Sequence, residues 1–143
     1  MAKTAPRAIL LRGRHIHEER PAGGTITPGH LVQLNSSGQF VVHATAAVAA
    51  VPIFAVENDL VGKGIDDNYV VNDLCQAEHC SPGMEVNALI AAAAPAITKG
   101  DLLESAGNGT LRKVVAGIAL ARSNETVDNS AGGAAVRLQV TIL

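Results

Sequence analysis

His15 and His17 stand two positions apart near the start of the chain, and Cys75, His79 and Cys80 form a second group of side chains able to hold a soft divalent cation. Structural zinc sites take paired ligands, usually about two to five residues apart, until four are closed around the ion. Neither group supplies such a set, so surface imidazoles and reduced thiols are the expected roles and no metal is expected. Two cysteines five apart also make no disulfide framework.

Other chemistry finds less support. Gly62-Lys63-Gly64 lacks the long glycine-bounded cradle and the Ser or Thr after Lys that a phosphate loop needs, and Ile65-Asp66-Asp67 follows instead. Asp66, Asp67, Asp73, Glu78 and Glu85 could serve acid–base work beside His79, but only in a pocket that desolvates one carboxyl and shifts its pKa. No Ser lies in a nucleophile elbow, and neither Cys has a hydrolase signature. The expectation is a protein that is not an enzyme and carries no cofactor. Asn35, Asn108 and Asn124 begin Asn-x-Ser/Thr triplets, which read as turn residues.

The elements that must position these residues are built from an unusual composition. Of 143 residues, 48% are hydrophobic but only 2% are aromatic, so the core is assembled from Val, Ile, Leu and Ala. Aromatic rings supply much of the buried area in most small cores, and here that contribution is nearly missing. Charged residues make up 17%, below the ~25% usual for a soluble domain, which points to oligomerisation of part of the surface. A net charge of −2 gives no broad grip on nucleic acid. No apolar run reaches the ~18 residues of a membrane span, and Arg12 interrupts the run at Ile9 that a secretory signal would need. A soluble protein made in the cytoplasm is expected.

From Gly24 onward, short apolar runs alternate with Pro-Gly, Ser-Ser-Gly, Gly-Asn-Gly and Gly-Gly turns, the punctuation of β structure. Ile26, Thr27, Gly29, Leu31 and Gly38 recur without a gap as Ile97, Thr98, Gly100, Leu102 and Gly109, 71 residues later, so one hairpin plan is used twice. Ser81-Pro82-Gly83-Met84 is a weaker third copy. Two alanine-rich stretches, 44–51 and 88–96, leave room for one or two short helices. Val136, Leu138, Val140 and Ile142 alternate with polar residues and predict a half-buried final strand over 134–143. The fold class expected is mostly β, a small β-barrel or β-tulip-like domain over residues 23–143.

Residues 1–22 differ from this body. Lys3, Arg7, Arg12, Arg14 and Arg20 make the segment basic, and a single apolar patch, Ile9, Leu10 and Leu11, is its only core material. Ordering each residue costs about 1 to 2 kcal/mol of backbone entropy. The segment is therefore expected to be an extended N-terminal arm that orders on a partner.

The phrases Phe54-Ala55-Val56-Glu57-Asn58, Gly62-Lys63-Gly64-Ile65-Asp66, Tyr69, Asn72-Asp73, Pro82-Gly83-Met84-Glu85-Val86 and Lys99-Gly100-Asp101-Leu102-Leu103, in this order, resemble the head-decoration (cement) proteins of tailed bacteriophages. The resemblance spans residues 24 to 143, with Asn72-Asp73 where the usual pattern has Gly-Asp. It implies a β-rich homotrimer on the outside of the expanded capsid, bound to the major capsid protein and lying in the virion. On that reading the arm adds as a strand to the shell, with Ile9, Leu10 and Leu11 giving apolar contacts and Arg7, Arg12 and Arg14 meeting acidic side chains. Two other readings use the same composition: a small barrel that carries a prosthetic group on Lys63 or Lys99, and a glycan-binding adhesion knob. A small hydrolase is a further alternative.

Overall fold

The computed structural model describes residues 5–143, and eleven short strands carry its fold. They are β1 (Leu10–Arg12), β2 (His15–Pro21), β3 (Val32–Leu34), β4 (Phe40–Val42), β5 (Ile53–Ala55), β6 (Leu74–Cys80), β7 (Glu85–Ile90), β8 (Leu102–Ser105), β9 (Leu111–Lys113), β10 (Ala121–Ser123) and β11 (Val136–Ile142). The mostly β, small-barrel expectation holds. The only helical turn among the described residues is a 3₁₀ turn at Asp59–Val61. The alanine-rich stretches form no helix, because Ala88 enters β7 and the Ala44 stretch runs as turns.

β7, β11, β10, β8 and β9 pair in that order, and a parallel bridge from Ile90 to Leu111 returns the sheet to β7. Five strands thus close on themselves into a barrel. The first half of the chain repeats this arrangement. β2, β6 and β5 pair in order, Leu31 bridges Phe54, β3 pairs with β4, and a parallel bridge from Ala22 to Phe40 completes the circuit. The hairpins match in register: Val32↔Val42 and Leu34↔Phe40 become Leu103↔Lys113 and Ser105↔Leu111 under the 71-residue shift seen in the sequence. The molecule is an internal duplication of one five-stranded barrel.

Each barrel fills its own interior. Ala22, Ile26, Val32, Phe40, Ala55, Cys75 and Ala77 form the smaller core. The larger core contains Ile9, Leu31, Phe54, Val86, Ile90, Leu111, Leu138 and Val140. Ile9, Leu31 and Phe54 come from the first half of the sequence, so the two barrels share one packed seam.

These pairings correct the expected arm. β1 pairs with β7, and every residue of β2 pairs with β6. Ile9 is fully buried, and its amide donates to Glu57 Oε2 at 3.2 Å. The division at residue 22 falls inside the first barrel, to which β2 belongs, while Ile9 and β1 join the second. The entropy cost argued for the arm is met because Ile9 enters a core and β2 gains a full ladder. Residues 1–4, with Lys3 of the basic segment, lie outside the described residues.

The repeated turns use one device. Thr98 N–H donates to Asp101 Oδ2 at 2.8 Å, and at the matching place Thr27 N–H donates to His30 Nδ1 at 3.0 Å. His30 is mostly buried beside Arg137, and burial first, then the Arg137 charge, pushes its imidazole down to about 4. Since an unfolded His titrates near ~6.5, the unfolded chain takes up a proton that the folded chain refuses as pH falls from there toward 4. Stability present above pH ~6.5 is therefore lost on acidification, by up to about 3 kcal/mol from this group. His30→Asn keeps an acceptor for the Thr27 amide, and its denaturation midpoint is expected to match wild type at pH 7.5 and exceed it at pH 4.5. Equal acid sensitivity in both proteins would assign the effect elsewhere.

Candidate functional site

The antiparallel register of β2 on β6 sets His15 opposite Cys80, His17 opposite Glu78 and Glu19 opposite Gln76. Directly opposed residues share a face, so two imidazoles and a carboxylate meet on one side of the sheet. Glu78 is nearly buried, and its two oxygens accept from His15 Nδ1 at 2.6 Å and His17 Nδ1 at 2.7 Å. Glu19 takes His17 Nε2 at 3.1 Å. The bonds to Glu78 first, and to Glu19 next, hold His17 above its ordinary pKa despite partial burial. On the opposite face, Glu18 accepts from His79 Nε2 and Arg20 Nε, both at 2.6 Å, and these bonds lower its pKa.

These contacts explain how a strand with almost no apolar residues holds its place. They also separate the groups that the sequence suggested as ligands. His79 lies across the sheet from His15 and His17, Cys75 is in the small core, and both thiols are free and buried. Burial pushes each thiol up to about 12, aided at Cys80 by the Glu78 charge, so both stay protonated near neutrality. Among the described residues no group of three or more His, Cys, Asp or Glu side chains is arranged to hold a metal ion.

Beside Glu78 lies an open cleft of about 280 Å³, with His17, Glu57, Asp59 and Glu78 among its polar walls and Leu10 and Leu60 among its apolar ones. Of the proposed arm contacts, Ile9 is withdrawn into the core, Leu10 and Leu11 are half-buried, and Arg7, Arg12 and Arg14 are exposed, with Arg12 Nη2 3.2 Å from Glu85. Lys63 follows the 3₁₀ turn in a loop, and Lys99 lies in the turn before β8.

Two polar clusters had no signal in the sequence because no motif joins their members. His43 Nδ1 lies 2.7 Å from Ser105 Oγ, a spacing suited to a nucleophile and its base. Ser105 is fully buried, however, and burial lowers the His43 pKa, so the pair pins the end of β4 to the end of β8. Glu104, also fully buried, accepts from Arg112 Nε at 2.9 Å and from the Gly117 amide at 2.7 Å. Among the described residues every buried side-chain nitrogen or oxygen has a hydrogen-bond partner.

The outer surface is different in kind. Leu60 is 81% exposed, Ile16 73% and Val115 72%, with Val61, Val51 and Ile118 also outside. No helix among the described residues is long and apolar enough to cross a membrane. No protein-family model matches the chain, and no curated protein shows significant similarity to it.

Proposed function

We propose that this protein is a structural component of a tailed-phage virion, a trimer that binds the outside of the expanded capsid and stabilises the lattice of the major capsid protein. The observation that supports it best is the contrast between interior and surface. Among the described residues the buried polar side chains all have partners, while large aliphatic side chains such as Leu60, Ile16 and Val115 stand in water. Such residues cost about 25 cal/mol for each Å² of apolar surface left wet, which a partner surface recovers. The ordered series of turn-and-strand phrases that resembles the decoration proteins supports the same reading.

The mode of attachment differs from a free arm. Ile9 is committed to the core, so contact with the shell falls to Arg7, Arg14 and the exposed aliphatic loops. Three copies engaging a lattice at once gain avidity without strong single contacts. Purified protein is expected to co-sediment with expanded shells lacking their decoration and to saturate at a fixed ratio to the shell protein. The Leu60→Ser, Val115→Ser pair is expected to weaken that binding by at least about tenfold with little change in melting temperature. Absence of binding to such shells would refute the reading.

A further inference from the structure

We propose that the outer edge of β2 is a self-pairing surface, on which β2 of a second copy of this chain adds antiparallel and continues the β2–β6–β5 sheet. Cys80 N–H donates to Pro52 O and Val56 N–H to Gln76 O, so the even residues of β6 turn toward β5. Its odd residues then face β2, opposite Ile16, Glu18 and Arg20. Pro21, opposite Leu74, has no N–H and fits this alternation. The backbone groups of His15, His17 and Glu19 consequently point away from the sheet, and among the described residues no backbone or side-chain group bonds them.

The duplication shows what such an edge takes. On β7, the strand equivalent to β2, the outer edge is covered by β1, and Asn87 N–H donates to Ile9 O. Among the described residues β2 carries no such cover. Its sequence suits a copy of itself in one register. With His17 on the two-fold axis, all three outward residues pair, about six backbone bonds form, and His15 stands opposite Glu19 of the second copy twice. An imidazole against a carboxylate is a favourable cross-strand pair. Sliding two residues one way sets Pro21 opposite His15 and loses a donor, and sliding the other way leaves Glu19 opposite Gly13. The charges and Pro21 that discourage indiscriminate edge pairing therefore select this one arrangement, an isologous contact.

Residue-resolved amide exchange of the wild-type protein tests this directly. In concentrated solution the His15, His17 and Glu19 amides are expected to exchange at least about tenfold more slowly than in dilute solution, while Ile16, Glu18 and Arg20 stay protected in both. His17→Pro removes one outward N–H and none that faces β6, and is expected to halve the mass found by sedimentation. Concentration-independent, fast exchange at the three outward amides overturns the proposal, and it decides alone if the proline variant does not fold. So does an unchanged mass in His17→Pro, including the case where that variant loses binding to shells and the edge serves the shell protein instead. Self-pairing needs no capsid, so its failure leaves the capsid reading standing.

Discussion

Arg112→Leu is expected to destabilise the protein by about 3 to 5 kcal/mol, the cost of leaving a buried charge without its partner. Glu104 has no exposed surface, and among the described residues Arg112 Nε is the cationic group bonded to it, with the Gly117 amide as a further donor. In the wild-type protein burial raises the Glu104 pKa, and the bonds from Arg112 and the Gly117 backbone outweigh it, so the net shift is downward. Without the guanidinium, burial prevails and the carboxyl pKa rises above its unfolded value. The variant is then least stable at high pH and recovers as pH falls and Glu104 takes up a proton, the reverse of a paired carboxylate. Chemical denaturation at pH 8 and pH 5 measures both parts. Glu104→Leu with Arg112→Leu removes both charges and is expected to regain most of the loss. A single-variant loss below about 1 kcal/mol would mean that water reaches the carboxylate.

The parts of this fold that the sequence announces are those with a local signal. The hairpin over residues 26–43, its copy 71 positions on, and the alternating β11 are read from turns and apolar periodicity, and the structure places each accordingly. The duplication of whole barrels was hidden because the matching strands are not evenly spaced. Ala22 corresponds to Ile90 and Gln76 to Gln139, while the hairpins keep their own shift. β2 was hidden for another reason. His-Ile-His-Glu-Glu-Arg has no apolar face, since its strand is exposed on both sides and is held by bonds to Glu78 and His79 from a strand about sixty residues away. A strand fixed by cross-strand charge pairs reads as an arm in one dimension. The His15, His17 and Glu78 cluster was half legible for the same reason, two members from spacing and the third only from register.

Gly29→Ala is expected to cost about 3 kcal/mol and Gly100→Ala about 1 to 2 kcal/mol, although the two glycines occupy the same place in the repeat. Both have φ near the same positive value, 97° and 95°, which no side chain adopts without strain. That shared strain is the whole cost at Gly100, where an added Cβ meets nothing within 4 Å. At Gly29 the added Cβ lies 2.8 Å from Arg137 Nη1 and 3.0 Å from Asn87 O, so something must move. The Asn87 carbonyl belongs to β7 and is fixed by the barrel. The guanidinium is held by Pro28 O at 2.9 Å and by Ile65 O, and its displacement releases the loop before Tyr69 from β11. The turn of the first barrel is packed against the second, whereas the turn of the second faces solvent. Denaturation midpoints of the two variants at neutral pH measure the difference, which is the contribution of the seam between barrels at this contact. Equal losses would show that the duplicated halves meet without mutual constraint there, and that each turn answers only to its own backbone.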